Sequence, residues 1–122
     1  MDKKSVVVDE LGRAGPYSHS VITGSMVYLS GQLGVKKGEN NSFEDQFKRA
    51  ASNVEKILKE SNSSMKNIVK VVVYIKKKED FEKMNKMFQD YFSLASPVRT
   101  TVVCSFPNDE ALVELEITAV TN

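Results

Sequence analysis

Arg99 and Glu114 are two residues of this sequence whose types could support chemistry on a small carboxylate. Arg99 follows Pro97 and precedes a predicted strand, so its backbone is held between a rigid ring and a β ladder. A guanidinium held there could bind a carboxylate through two parallel hydrogen bonds. Glu114 lies between Val113 and Leu115, where partial removal from water would raise its pKa and suit it to proton exchange. The same patterns also fit a surface arginine and an outward-facing glutamate.

Four further polar or small residues are candidates for ligand contact. Tyr17 ends a loop rich in glycine and proline, and its hydroxyl could donate to a ligand or its ring could cover the core edge. Ser30 and Gly31 could supply a hydroxyl and a backbone N–H, or they could mark a strand bulge. Asn85 lies at the edge of a helical apolar stripe. It could contact a ligand, or it could be a buried amide that holds a loop, and both roles require hydrogen-bond partners.

Cys104 and His19 are predicted to be structural. Cys104 is the only cysteine, has no histidine nearby in sequence, and alternates with Val102 and Phe106 on a predicted strand, which favours core packing. His19 is the only histidine, so no zinc cluster or other metal site is expected.

The elements that must position these residues follow from the apolar spacing. Ser42 and Asp45 resemble a capping box before a helix whose buried stripe is Phe47, Ala50, Ala51, Val54, Ile57 and Leu58. A β-branched strand is predicted from Ile68 to Ile75, and a second helix begins around Glu79 and Asp80 and ends before Pro97. Two final strands, Thr100–Phe106 and Ala111–Val120, are separated by a polar turn and are predicted to form an antiparallel hairpin.

This order of elements predicts an α+β domain with both helices packed on one face of a mixed sheet. The last strand places Val113, Leu115, Ile117 and Ala119 on one side, and the strand from Ile68 carries apolar residues on both sides. An exposed apolar face of that size is uncommon on a monomer. We therefore expect the second face of the sheet to be buried against other subunits, with Glu114 pointing toward a subunit boundary.

Composition limits the class of protein. The 122 residues, 41% of them apolar, fit one domain spanning 1–122. Seventeen Lys and Arg against sixteen Asp and Glu give a net charge of +1, so a nucleic-acid partner is not expected. The apolar run near the N-terminus is too short for a signal peptide, and no run approaches the length of a membrane span. With a single cysteine, this predicts a soluble protein of the cytoplasm.

Five blocks of the sequence, in order and over nearly the whole chain, resemble the signature of the RidA/YjgF family. They are Gly15-Pro16-Tyr17-Ser18, Ser30-Gly31-Gln32, the segment Val71-Val72-Val73-Tyr74-Ile75 followed by Asp80-Phe81 and Met84-Asn85, then Pro97-Val98-Arg99-Thr100 and Leu112-Val113-Glu114-Leu115-Glu116. The resemblance implies a chorismate-mutase-like α+β fold that assembles as a homotrimer, with active sites in clefts between subunits. It also implies a deaminase that hydrolyses enamine and imine products of pyridoxal-phosphate enzymes to 2-oxo acids and ammonia, without cofactor or metal.

The resemblance also assigns residue roles. Arg99 would bind the substrate carboxylate and Glu114 would handle the attacking water, while the ligand would be lined by Tyr17, Ser30, Gly31 and Asn85. Thr101 stands where many relatives have cysteine, and it can still offer a backbone N–H and a hydroxyl. His19 replaces a frequent glutamine, and the connections 32–46 and 85–99 are shorter than is usual. These departures bear mainly on the range of substrates.

Three functions follow as hypotheses. The first is a 2-iminobutanoate/2-iminopropanoate deaminase acting through Arg99 and Glu114, with a small 2-imino acid and further copies of itself as partners. The second is an RNA-cleaving or translation-inhibiting member of the family, against which the near-zero net charge argues. The third is a non-catalytic small-carboxylate-binding or holdase protein, and the presence of both Arg99 and Glu114 favours chemistry over binding alone.

Overall fold

One mixed β-sheet organises the chain, of which the computed structural model describes residues 2–122. Its strands are β1 (Lys3–Val6), β2 (Ser20–Thr23), β3 (Met26–Leu29), β4 (Gln32–Leu33), β5 (Ile68–Ile75), β6 (Val98–Val103) and β7 (Val113–Val120). They are arranged in the order β1-β2-β3-β7-β5-β6, and the short β4 also pairs with β7. Only β5 and β6 pair in parallel, while every other pair is antiparallel.

The two helices are α1 (Phe43–Glu60) and α2 (Phe81–Phe92). α1 begins at the predicted cap, because the Ser42 Oγ accepts a hydrogen bond from the Asp45 N–H at 3.2 Å. A short 3-10 turn, Lys78–Asp80, precedes α2 and accounts for the predicted start at Glu79 and Asp80. Within residues 2–122, neither helix is long and apolar enough to cross a membrane.

The core lies between the helices and one face of the sheet. β5 contributes Val71, Val73 and Ile75, and the predicted side of β7 contributes Val113, Leu115, Ile117 and Ala119, all of them buried. These side chains pack against the apolar stripe of α1, including Phe47 and Ile57, and against Met84 and Phe92 of α2. Both helices therefore cover the same face, and the α+β architecture predicted from the order of elements is confirmed.

The predicted hairpin between the last two strands is wrong. β6 pairs in parallel with one edge of β5, and β7 pairs antiparallel with the other edge, so β5 separates them. The reason is that α2 serves as the crossover between β5 and β6, which is the connection that parallel strands require. The polar segment 104–112 then carries the chain past the end of β5 instead of reversing it in a tight turn.

β6 also differs from its predicted bounds, since it begins at Val98 and ends at Val103. Arg99 therefore lies inside the strand. Cys104 follows the strand, is half-buried and lies outside the core, so its predicted core packing is wrong. The parallel ladder ends there, and the Cys104 N–H donates the closing hydrogen bond to the Ile75 carbonyl at 2.9 Å.

The second face of the sheet is uncovered within residues 2–122. Strand alternation places Tyr28, Val72, Tyr74, Val98 and Val102 on this face. Val98 is 66% exposed and Tyr28 is 48% exposed. This open face contains Glu114, which lies opposite Tyr74 in the β5–β7 register.

Candidate active site

Glu114 is the carboxylate at the centre of the candidate site. Its side chain is half-buried on the open face of β7. Loss of contact with water raises the pKa of Glu114, and the negative charge of Glu116 two residues away raises it further. Glu114 also lines a cavity of about 440 Å³. The other lining residues are Gly12, Ala14, Tyr17, Gly31, Gln32, Leu33, Val35, Asn53, Pro107 and Asn108.

Gly31 allows the chain to pass directly against this carboxylate. It lies in the break between β3 and β4, and a Cβ atom added to it would stand 2.8 Å from the Glu114 Cδ. Any larger residue at position 31 would require the Glu114 carboxyl group to move away. Ser30 does not line the cavity, and its hydroxyl donates to the His19 carbonyl at 3.3 Å.

Tyr17 forms part of the same cavity wall and lies outside the core cluster. Its hydroxyl oxygen accepts a hydrogen bond from the Ala14 N–H at 3.1 Å, which leaves the hydroxyl proton free to be donated. The Arg13 guanidinium donates to the Tyr17 carbonyl at 2.8 Å and holds the loop in this shape. The exposed position of Tyr17 is at odds with the alternative that its ring covers the core edge.

His19 is buried and anchors the loop that leads to the cavity. Its Nδ1 accepts a hydrogen bond from the Val8 N–H at 2.9 Å, so its Nε2 is the nitrogen that donates to the Gly12 carbonyl at 3.1 Å. These two partners require the neutral ring. Among residues 2–122, no group of three His, Cys, Asp or Glu side chains is placed to hold a metal ion.

Arg99 lies on the other face of the sheet. It is opposite the buried Val71 in the β5–β6 register, so its side chain extends toward α2. The guanidinium carbon is 4.9 Å from the ring centroid of Phe88 and 5.8 Å from that of Phe81. Its Nη1 donates to the Met84 Sδ at 3.6 Å. No carboxylate of residues 2–122 forms an ion pair with it.

Thr101 and Asn85 accompany Arg99 rather than Glu114. Thr101 lies two residues further along β6 on the same face, and its Oγ1 is buried without a hydrogen-bond partner in the described chain. Asn85 is exposed on α2, four residues after Phe81 and three before Phe88, so it stands on the same flank of the helix. The exposure rules out the buried-amide alternative for Asn85.

One chain therefore contains two separate groups of candidate residues. The first comprises Glu114, Tyr17 and Gly31 around a cavity, and the second comprises Arg99 and its neighbours at the β6 edge. The two groups face opposite sides of the sheet, and β5 lies between their strands. A single chain does not bring Arg99 and Glu114 together on one small molecule.

Asn53 and Asn108 line the cavity, Gln46 supports the segment that leads into β7, and the sequence analysis missed all three. The buried Gln46 amide donates to the Asn41 and Glu110 carbonyls, each at 2.9 Å, and accepts from the Leu112 N–H at 2.9 Å. It thus holds the segment that leads into β7. The position of this glutamine next to Phe47, beside an apolar helical stripe, could have predicted a buried amide. The two asparagines line the cavity from α1 and from segment 104–112, and no local pattern distinguishes them from surface amides.

This chain is similar in sequence and in fold to known proteins. Residues 8–121 match the family model described as Endoribonuclease L-PSP. A 2-iminobutanoate/2-iminopropanoate deaminase of Dermatophagoides farinae is 35% identical over 107 residues, which cover 84% of this chain and 83% of that protein. A RutC family protein of Pyrococcus abyssi is 35% identical over 109 residues, which cover 86% of each chain. The crystal structure of yeast Mmf1 superposes with a TM-score of 0.90 at 31% identity, covering 99% of this chain and 100% of that one.

The comparisons show the structural class of the protein. It is an α+β protein with one mixed sheet and two helices on one face, as in the structures of its relatives. The chain belongs to the Endoribonuclease L-PSP family, the group of RidA/YjgF-like proteins that its sequence blocks resemble.

Proposed function

We propose that this protein hydrolyses 2-iminobutanoate and 2-iminopropanoate, with their enamine tautomers, to 2-oxo acids and ammonia. The observation that carries the proposal is Glu114, a half-buried carboxyl group with a raised pKa in a cavity beside Tyr17. Such a group can both accept a proton and return it in the course of one reaction. The relative from Dermatophagoides farinae is named for this activity.

The chemistry requires one anchored carboxylate and one activated water. Arg99 binds the substrate carboxylate through its guanidinium, and Glu114 takes a proton from water as the water oxygen bonds to the imine carbon. Glu114 then returns this proton to the nitrogen, which completes an amino alcohol. Glu114 next moves the proton of the new hydroxyl group to the same nitrogen, the carbon–nitrogen bond breaks, and ammonia leaves as the carbonyl forms. Holding water and imine together supplies much of the acceleration, and no redox step or cofactor is needed.

The two groups of residues would meet between neighbouring copies in a homotrimer. Three observations support this arrangement: Arg99 and Glu114 face opposite sides of one sheet, no Lys or Arg of residues 2–122 lines the Glu114 cavity, and the apolar open face has no cover. The Arg99 edge of one copy would then provide the cation that the cavity of the next copy lacks.

The deciding assay uses a threonine or serine dehydratase to generate the imine, with semicarbazide to trap it. Added protein should lower the trapped fraction and speed the appearance of 2-oxo acid. An Arg99→Lys variant should keep its fold but lose most of the activity, since one ammonium cannot reproduce the two-pronged contact. An unchanged trapped fraction with wild-type protein would refute the deaminase proposal.

A mixing experiment tests the shared site. Arg99→Lys and Glu114→Gln are each expected to be inactive alone. If the two are denatured and refolded together in equal amounts, mixed trimers should contain intact sites and recover about a quarter of the wild-type activity. Recovery no greater than the sum of the separate variants would exclude a site built from two copies.

RNA cleavage is the second candidate, because the matching family model carries an endoribonuclease description. The acidic cavity and the net charge of +1 argue against it, since phosphate contacts need clustered cations. Nuclease activity that survives repurification and disappears in Glu114→Gln would support this candidate over the deaminase.

A further inference from the structure

The guanidinium of Arg99 rests against a flank of α2 formed by Phe81, Met84 and Phe88. The two ring centroids are 5.8 Å and 4.9 Å from the guanidinium carbon, and the Met84 sulfur is 3.6 Å from Nη1. Positions 81, 84 and 88 follow helical spacing, so the three side chains form one continuous surface. Aromatic rings attract the cation through their faces without supplying a conventional acceptor. Most N–H donors of Arg99 therefore remain available to a ligand.

We propose that Phe88, assisted by Phe81, is a positioning residue that holds the Arg99 guanidinium ready to capture the substrate carboxylate. This inference rests on the proposed function, because the carboxylate is that of the 2-imino acid. Phe88 does not touch the reacting atoms and acts through Arg99 alone.

The physical basis is the entropy of a long side chain. An arginine on an edge strand that is free to sample its rotamers must be ordered when a ligand binds, and this ordering weakens binding. The rings restrict that freedom beforehand. The Phe88 ring is itself held in place, because it is half-buried and packs on Phe92 with ring centroids 5.0 Å apart.

The test compares aromatic and aliphatic side chains at position 88. Phe88→Leu removes the ring and keeps an apolar side chain, whereas Phe88→Tyr keeps the ring. Tyr91→Leu is the matched control on the same helix, because that ring packs on Phe47 at 5.8 Å. The readouts are the Arg99 Nε–H chemical shift, the Kd for 2-oxobutanoate, and kcat and KM for imine hydrolysis. Phe81→Leu, at a 42% exposed position, serves as a second variant if Phe88→Leu fails to fold.

Phe88→Leu should reduce the ring-current shift of the Arg99 Nε–H to what the Phe81 ring alone produces. It should also raise Kd and KM about tenfold and leave kcat nearly unchanged. Phe88→Tyr and Tyr91→Leu should stay within about twofold of wild type. A Phe88→Leu protein that binds 2-oxobutanoate as wild type does would overturn the proposal, as would equal weakening by Tyr91→Leu. Wild-type protein that binds no 2-oxo acid would also overturn it. Binding that depends on Phe88 without imine hydrolysis would refute the deaminase activity and leave the role of Phe88 intact.

Discussion

The half-buried position of Glu114 lowers the free energy of unfolding, and the size of this loss depends on pH. Burial raises the pKa of Glu114 in the folded chain above its unfolded value, so the folded state binds this proton more tightly. The resulting penalty is absent below the unfolded pKa and fully present above the folded pKa. A carboxylate kept in such a position at neutral pH indicates a use other than stability.

Glu114→Gln should therefore separate activity from stability. We expect imine hydrolysis to fall by roughly 10²- to 10⁴-fold, because the proton-transfer group is lost. Thermal unfolding at pH 8 should occur at a temperature no lower than in wild type, since the glutamine carries no charge to desolvate. Any advantage over wild type should disappear at pH 4. A variant that is less stable than wild type at pH 8 would contradict the pKa direction.

Glu116 should contribute, after burial, to the pH at which Glu114 works. Its charge is held in place by the Tyr74 hydroxyl, which donates to Glu116 Oε1 at 2.6 Å, and this bond is the main cause that raises the pKa of Tyr74 to about 12. Glu116→Gln removes the nearby negative charge and should shift the acidic limb of kcat/KM to lower pH. Glu55→Gln, at an exposed position on α1, is the control and should leave the profile unchanged.

Gly31→Ala tests the close approach to Glu114. The new methyl group must displace the carboxyl group, so activity should fall about tenfold or more through lost positioning. Gly12→Ala adds the same methyl group to the same cavity, but no atom lies within 4 Å of the added Cβ. It should change the rate by less than about threefold. Equal losses from both variants would show that the cavity tolerates no added volume at all.

At the scale of single residues, the sequence indicated the participants but not their grouping. Tyr17, Gly31 and Glu114 were candidates because of residue type and family resemblance, and the structure places them around one cavity. That Arg99 faces away from them depends on strand register, since a shift of one residue exchanges the two faces of a sheet. Register is set by tertiary packing and is not visible in a local pattern.

The elements themselves could be predicted more reliably than their partners. The caps and the apolar stripe of α1 are local, and β5 was expected at the Ile68–Ile75 bounds that the structure shows. The pairing of β6 was missed because the polar segment 107–110 looks like a hairpin turn in sequence. The choice between a hairpin and a crossover is made by the helix that precedes β6, which packs on the core and leaves the strand parallel to β5.

Gln46 links two secondary-structure elements, because its side-chain amide connects α1 to the segment before β7. Gln46→Leu would leave the Asn41 and Glu110 carbonyls and the Leu112 N–H without their partner, and it should lower the free energy of unfolding by about 3 kcal/mol. Urea titration followed by circular dichroism measures this loss. Gln89→Leu, at an exposed position on α2, is the control and should change stability by less than about 0.5 kcal/mol.

In the molecule as a whole, the open face of the sheet has apolar side chains that nothing in the single chain covers. The expectation of a buried second face came from apolar residues on both sides of β5, and the structure leaves Val72, Val98 and Val102 uncovered. The number of copies could not be derived from such a pattern, because alternation shows which residues face a partner but not the symmetry that relates them.

Val72→Lys should keep the protein monomeric if this face joins subunits. A charge at the centre of an apolar interface must be desolvated on association, whereas in the free monomer it remains in water. Light scattering should report three times the chain mass for wild type and the single-chain mass for the variant. Leu94→Lys, at a 79% exposed position beyond α2, is the control and should retain the wild-type mass. An assembled Val72→Lys protein would place the interface elsewhere.

Arg99 and Glu114 face opposite sides of the sheet within one chain. This arrangement also affects how activity depends on the concentration of the protein. A site completed by a neighbour exists only after association, so the number of working sites falls faster than the number of chains as the protein is diluted. Under the proposed arrangement, the capacity to remove imines would have a threshold in protein concentration. A defective copy would then impair the sites of its neighbours as well as its own.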